Sequence, residues 1–377
     1  MIMDVLKEFV IQLVKEKGKI TFAEFMEIAL YHPEYGYYQK ENPFGMQGSF
    51  YTSVDASESF GRTLAKGFEE TIKELNLAPI LCEMGAGSGM LANDILNYYK
   101  AESNKFYSEV KYIIIEKSKY LIDRQKELLK EHIDKVEWIS FDGLNDFEGV
   151  FFSNELVDAF PVHRIINING DLKELYVIYH DEKLQFYPDE FSTVNLKEYI
   201  GKLGVKLVDK QIADINLDAV KWIKDVGEKI NKGIVVTIDY GFDAKNLYAP
   251  FRMDGTVTCY FKHTQNNDFF ERIGYQDITA FVDFSALMEY GKESGLNVVN
   301  FEPQWVFLLQ SGILDEIRNA KTDLHRTRIK SLIIPEGGFG TNFNVLIQSK
   351  GVYIPDTFLY NKKPYDIFEQ LSEMYAE

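Results

Sequence analysis

The stretch ILCEMGAGSGMLANDIL, residues 80–96, constrains the fold more than any other part of the chain. A short apolar run ends in an acidic residue, three glycines follow at alternate positions, and apolar residues then return at helical spacing. A strand of this kind needs neighbours on both edges and a helix against its faces. The sequence supplies them. VKYIIIEKS reads as a second apolar strand ending at Glu116, SKYLIDRQKELLKEHI as a helix, KVEWISF as a third strand leading to Asp142, and GVFFSNEL as a fourth. LDAVKWIKDVGEKI is a helix that returns the chain to a fifth core strand, GIVVTIDYG. The alternation predicts an α/β core built on a parallel, doubly wound sheet.

The flanks read differently. Residues 1–78 are expected to form an N-terminal helical region, with Thr21 and Glu24 as a capping box that starts the helix FAEFMEIALY. The core is expected over 79–350, interrupted by an insertion at about 161–230, with a tail over 351–377. Within the insertion, HRIINING, ELYVIYHD and KLQFYPD read as an antiparallel meander with turns at Asn169-Gly170 and His180-Asp181. The stretch from Phe242 to Asp283 reads as loop, Asp283 as the cap of the helix FSALMEY, and NFNVLIQSK as a late strand.

The glycine loop argues against two nucleotide sites. A dinucleotide loop, G-x-G-x-x-G, would place its third glycine where Met90 stands, and that glycine is needed for close helix–strand packing. A P-loop would require a lysine after its last glycine, and Gly89 is followed by Met90-Leu91. The order present, Glu83-x-Gly85-x-Gly87-x-Gly89, resembles the strand–loop–helix that binds S-adenosyl-L-methionine in the seven-stranded methyltransferases. The chemistry fits: the cofactor carries no phosphate, glycines allow close approach of the backbone, and Glu83 at the strand end can receive an ammonium group. Glu116, at the end of the second strand, is placed to accept the ribose hydroxyls, and Asp142 to accept from the adenine amino group.

A second constellation, SNELVDAFPVHR, lies at the carboxyl end of the fourth strand, the edge where ligands bind in such folds. Asn154, Glu155 and Asp158 are the available polar groups. If the stretch is helical, Glu155 and Asp158 share a face and can grip a forked guanidinium. Asp239 and Tyr240 end the fifth strand at the same edge, and the loop region beyond brings His263, Asp277 and Thr279.

The formal net charge of −17 argues against nucleic acid or anionic lipid as a partner. Cys82 and Cys259 are the two cysteines, and neither lies in a Cys/His cluster, so neither a metal site nor a disulfide framework is signalled. MIMDVLKEFVIQLVKEKG is interrupted by charge and lacks the make-up of a signal or transit peptide, so the expected setting is cytoplasmic.

Taken together, ITFAEFMEIALYHPEYGYY, GSFYTSVDASESFGR, EMGAGSGMLANDIL, SNELVDAFPV, TIDYG, QDITAFVDFSAL and GFGTNFNVLIQ resemble the MidA-like methyltransferases over residues 18–350 or so. That family includes a mitochondrial complex I assembly factor that methylates a protein arginine. The resemblance implies a class I methyltransferase fold with a Rossmann-like seven-stranded sheet, S-adenosyl-L-methionine as donor, and a protein nitrogen, an arginine side chain, as acceptor. It also adds Thr52 and Ser53, in the segment that closes over the cofactor, to the contacts implied for it. An assembly chaperone that retains the cofactor site, or a methyltransferase acting on a small molecule or peptide, stays open as an alternative.

Overall fold

The computed structural model describes residues 5–39, 58–262, 264–334 and 342–362. Along the chain, β1 (Ile20–Thr21) is followed by β2 (Ile80–Met84), β3 (Lys111–Ile115), β4 (Val136–Ile139) and β5 (Phe147–Asn154). Next come β6 (His163–Ile168), β7 (Asp171–His180), β8 (Lys183–Asp189), β9 (Ile212–Ile215) and the long β10 (Ile230–Phe242). The short β11 (Thr258–Phe261), β12 (Thr264–Asn266), β13 (Asp277–Thr279) and β14 (Val282–Asp283) precede β15 (Asn297–Pro303) and β16 (Phe343–Lys350). The chain divides into two compact units. One comprises Met1–Tyr51, Leu156–Lys224 and Tyr240–Gly291, the other Thr52–Glu155, Asp225–Asp239 and Lys292–Glu377.

The second of these, the glycine-loop unit, is built on strands in the order β15-β16-β10-β5-β2-β3-β4. The pairs β2–β3, β3–β4, β2–β5 and β5–β10 are parallel, as the strand–helix alternation predicts. β15 and β16 pair antiparallel, so the sheet is mixed rather than wholly parallel. The reason is positional: β16 slots between β10 and β15 and runs against the latter. Val150, Phe151, Phe152 and Val235 are completely buried, the pattern of strands covered on both faces. On one face, the helix Glu58–Glu74 presents Phe60, Leu64, Phe68 and Ile72 at four-residue spacing, all buried. Phe68 packs against Phe152 in a tilted arrangement, 4.9 Å between ring centroids, and Phe152 meets Tyr112 edge-on at 6.3 Å.

The register of the three central strands is set by close backbone approach. A Cβ added to Gly149 would stand 2.2 Å from the Ile80 carbonyl oxygen, and one added to Gly233 would stand 2.2 Å from the Gly149 oxygen. Both glycines have positive φ, +142° and +158°. With β2, β5 and β10 seated this closely, Glu83 lies opposite Phe152, Ser153 opposite Thr237, and Asn154 opposite Ile238.

The other unit carries the antiparallel segment. Its sheet runs β1-β7-β6-β9, with β8 on the outer side of β7. β1 joins by pairing Ile20 with Val177 and Thr21 with Tyr176, immediately before the helix Phe22–Tyr31. The capping box forms: Glu24 N–H donates to Thr21 Oγ1 at 3.0 Å, and Thr21 N–H donates to Glu24 Oε2 at 2.9 Å. Phe22, Phe25, Met26 and Leu30 then pack with Val162, Val177 and Ile278 in one apolar core. The first meander turn is Asn169-Gly170, both left-handed. The second falls one residue later than the sequence reading, at Asp181-Glu182, since His180 still pairs with Lys183.

Three features of this unit depart from the sequence reading. A helix, Val194–Leu203, lies where only strands were expected, capped by Thr193 Oγ1 and stopped by left-handed Gly204. The stretch expected to be loop holds a three-stranded antiparallel sheet, β12-β11-β13. β14 runs parallel to the end of β10, with Val282 opposite Gly241. Asp283 does cap its helix, accepting from Ala286 N–H at 3.2 Å.

Arg164 on β6 is 3 % exposed and donates to Asp214 Oδ1 at 3.0 Å, while its guanidinium lies 5.0–5.6 Å from the ring centres of Phe22, Phe186 and Phe269. Asp214 Oδ2 accepts from Val257 N–H at 3.0 Å and Thr256 N–H at 2.5 Å. The pair thus anchors the chain that leads into β11.

Two stability outcomes follow from these contacts. Gly149→Ala forces a methyl into the Ile80 carbonyl and is expected to lower the urea midpoint by the equivalent of roughly 2–4 kcal/mol; a midpoint within error of wild type would contradict the register argument. Asp214→Ala strands a buried guanidinium and is expected to cost about 3–5 kcal/mol in the same assay, with near-ultraviolet circular dichroism reporting the loosened aromatic cluster.

Candidate active site

The glycine-loop unit brings most of the site candidates to the carboxyl ends of its parallel strands. Glu83 is the penultimate residue of β2. Gly85, Gly87 and Gly89 follow with φ of +78°, +51° and +83°, conformations that side chains disfavour. The loop is tied to the neighbouring strand by Gly85 N–H, which donates to the Ile115 carbonyl at 3.0 Å. Gly85, Gly87 and Ser88 remain half-exposed, Gly89 is buried, and the helix begins at Met90, which faces solvent at 38 % exposure. The glycine that allows close packing is therefore Gly89, one position before the dinucleotide pattern: a Cβ there would lie 3.1 Å from Gln125 Cγ.

Glu83 is 2 % exposed, and its Oε2 accepts from the Tyr112 hydroxyl at 2.6 Å. Burial pushes its carboxyl up to about 7, the nearby Glu116 charge pushes the same way, and the Tyr112 hydrogen bond only partly offsets them. Glu116 lies one residue beyond β3, and its Oε1 accepts from Lys117 N–H at 2.8 Å and Ser118 N–H at 2.9 Å. Burial also raises this carboxyl above its ordinary value, against the pull of those two amides and of the Gln125 side chain. Asp142 sits in a single 3₁₀ turn, Phe141–Gly143, after β4 and is exposed.

Asn154 ends β5 and Glu155 follows it, its N–H donating to the Ile238 carbonyl at 2.9 Å. Asn154 Nδ2 donates to Glu155 Oε1 at 3.3 Å. Three polar atoms at this edge, Ser153 Oγ, Thr237 Oγ1 and Asn154 Oδ1, are buried without a hydrogen-bond partner. Such atoms are costly unless something else meets them. Asp239, on β10, is completely buried.

The stretch NELVDAF is not an α-helix. Glu155 has φ +52°, in the left-handed region, and only the 3₁₀ turn Val157–Ala159 follows. Pro161 holds Phe160 in extended backbone, ψ 141°, leaving no room for further helix. Glu155 and Asp158 therefore share no helical face. Asp158 belongs to the other compact unit, where it is 6 % exposed and its carbonyl accepts from Ala280 N–H at 2.9 Å. In that same unit the Tyr38 hydroxyl donates toward both Asp277 carboxylate oxygens at 3.0 and 3.1 Å. Burial, then the Asp277 charge, then Tyr31 and Asp158, hold that hydroxyl well above its ordinary value. Burial pushes Asp277 itself up to about 7. Tyr38 carried no signal of its own in the sequence. Thr52, Ser53 and His263 lie outside the described residues.

The loop geometry suits a cofactor without phosphate: three left-handed glycines, two of them half-exposed, a carboxyl beneath them and a second carboxylate at the next strand end. Residues 63–302 match the family described as "Putative S-adenosyl-L-methionine-dependent methyltransferase". The chain belongs to this family. It is an S-adenosyl-L-methionine-dependent methyltransferase with an α/β fold and a mixed sheet. A crystal structure of a Burkholderia thailandensis protein bound to S-adenosyl-homocysteine is 28 % identical, with a TM-score of 0.84 and 94 % of each chain covered. A native structure from the same organism gives a TM-score of 0.82 at the same identity, covering 94 % of this chain and 93 % of that one.

Curated relatives of the methyltransferase include the Caenorhabditis elegans protein named protein arginine methyltransferase NDUFAF7 homolog, mitochondrial. It is 27 % identical over 83 % of this chain and 78 % of its own. The Homo sapiens protein named protein arginine methyltransferase NDUFAF7, mitochondrial, is 27 % identical over 80 % of this chain and 71 % of its own. The cytoplasmic expectation is overturned by these relatives, which are named as mitochondrial proteins.

Glu83 makes stability depend on pH in a defined direction. Its folded value, about 7, lies above the ordinary 4.5, so the folded state holds the proton more tightly than the unfolded chain. Its contribution is therefore most favourable below pH 4.5 and is lost as pH rises toward 7. Glu83→Gln keeps an acceptor for Tyr112 but cannot ionise. Its stability relative to wild type is expected to improve by up to roughly 3 kcal/mol between pH 5 and pH 8, read from urea midpoints at each pH. A difference that does not change with pH would rule out the buried-carboxyl account.

Proposed function

We propose that this methyltransferase modifies a nitrogen of a protein substrate, an arginine side chain, and that its sheet is the seven-stranded class I arrangement. The strand order β15-β16-β10-β5-β2-β3-β4 supports the second point. The observation that carries the first is the pair Asn154–Glu155 at the carboxyl end of β5, with Asn154 Oδ1 buried and without a hydrogen-bond partner. An acceptor atom and a carboxylate side by side form a receptor for N–H groups. The relatives named as protein arginine methyltransferases, 27 % identical over most of the chain, support the guanidinium as its occupant.

In this reading Gly85, Gly87 and Gly89 let the backbone approach the methionyl part of the cofactor. Glu83 receives the ammonium group of the cofactor, Glu116 accepts the ribose hydroxyls, Asp142 meets the adenine, and Thr52 and Ser53 add further contacts to it. S-adenosyl-L-methionine, when bound, supplies an electrophilic methyl carbon on a positively charged sulfur. Asn154 and Glu155 fix the acceptor so that a nitrogen lone pair faces that methyl, which accounts for rate through orientation. Glu155 offsets the guanidinium charge and receives an N–H. Asp158 is given the same role on the strength of the sequence and is tested separately.

Glu155→Gln is expected to lower kcat by about 100-fold or more while the affinity for S-adenosyl-homocysteine, measured by calorimetry, stays within error of wild type. The Asp158→Asn variant is assayed alongside it. The acceptor is identified by mass spectrometry of host proteins with and without the enzyme, searching for added methyl groups on arginine and lysine. Methyl label found only in small molecules, or full activity in both variants, would overturn the reading.

A further inference from the structure

Gln125 is a polar side chain where an apolar one belongs. In the helix Lys119–Leu128 the buried positions are Leu121 and Gln125, and Leu129 continues the same stripe just beyond. Gln125 is 0 % exposed. A buried amide is costly unless its donors and its acceptor are met, and here they face two loops and a strand. Nε2 donates to the Gly87 carbonyl at 2.9 Å, in the middle of the glycine loop after β2. The side chain also reaches Glu116, just beyond β3, and favours its charged form. Oε1 accepts from Trp138 Nε1 at 2.9 Å, on β4.

The orientation of the amide is dictated by these neighbours. Rotated by half a turn, Oε1 would face a carbonyl and a carboxylate while Nε2 would face an indole N–H, so every contact would turn repulsive. The aliphatic stem also packs against the loop, since its Cγ lies 3.1 Å from where a Cβ on Gly89 would stand.

We propose that Gln125 is a positioning residue for the cofactor. One amide holds the Gly87 carbonyl and the Glu116 carboxylate at a fixed separation and anchors both to β4 through Trp138, so the loops after β2 and β3 are set before the cofactor arrives. This rests on the reading that the glycine loop and Glu116 hold the cofactor. Preorganised groups bind more tightly because less order is created on binding, so the effect falls on cofactor affinity rather than on the chemical step.

The test uses the full chain and S-adenosyl-homocysteine as the probe. Gln125→Met keeps length and apolar bulk but removes the hydrogen bonds to Gly87 and Trp138 and the polar contact with Glu116. It is expected to weaken binding in calorimetry by about tenfold or more, and to raise KM for S-adenosyl-L-methionine with kcat at saturation nearly unchanged. Trp138→Phe leaves the amide on Gly87 and Glu116 and is expected to weaken binding by about threefold or less. Gln125→Glu places a carboxylate against the Gly87 carbonyl and Glu116. Its affinity is expected to recover on acidification, when the new carboxyl can donate, which a bulk packing defect would not do. Tryptophan fluorescence, reporting the Trp138 bond, should shift in Gln125→Met without ligand. Wild-type protein that fails to bind the probe defeats the cofactor-site reading itself. Wild type that binds while Gln125→Met binds equally well, or a Gln125→Glu affinity indifferent to pH, defeats only the role given to Gln125.

Discussion

The placement of the site depends on how closely β2, β5 and β10 approach at their amino-terminal ends. Gly149 and Gly233 bring the three backbones to a separation that no side chain at either position permits. In parallel strands, a register fixed at one end is carried residue by residue to the other. That is why Glu83, Asn154 and Ile238 finish at one edge. A slip of a single residue would turn Glu83 to the opposite face, away from Tyr112, and would move Glu155 from its bond to Ile238. The placement of polar residues at the carboxyl edge is thus set by steric contact at the far edge, through residues that carry no functional group.

Burial and charge are closely linked in this chain. Glu83, Asp94, Asp277 and Glu302 are all pushed up to about 7, burial being the first cause in each case. Tyrosine hydroxyls meet two of these carboxyls, Tyr112 on Glu83 and Tyr38 on Asp277. A hydroxyl serves a neutral or an ionised acid without demanding full charge separation, whereas the buried guanidinium of Arg164 is met directly by the Asp214 side chain.

Much of the glycine-loop unit was legible in the sequence. Long apolar runs alternating with helical patterns leave few arrangements open, and the acidic residue followed by three alternating glycines marks where the chain must bend tightly. What was not legible is short. β11 to β14 span two to four residues each, too few for a periodic signal. The helix Val194–Leu203 carried its signals, Thr193 before it and Gly204 after it, but they were overshadowed by the strands of the meander. NELVDAF is not helical for a local reason already present in the sequence, Pro161. Gln125 was hidden because a polar residue on a charged helix reads as solvated. Only the neighbouring Leu121 and Leu129, at four-residue spacing, showed that its position faces inward.

Glu155 has φ +52° and is not glycine, and it is flanked by a buried strand rather than by a surface turn. Left-handed backbone at such a residue costs about 1–2 kcal/mol. Glycine at this position would relieve the backbone and delete the carboxylate in one step, so with Glu155 in its proposed role folding and function make opposite demands on the same residue. A screen that selects this chain for thermal tolerance alone would be drawn toward glycine at 155, and an increase in melting temperature there would come with the loss of the carboxylate proposed to hold the acceptor.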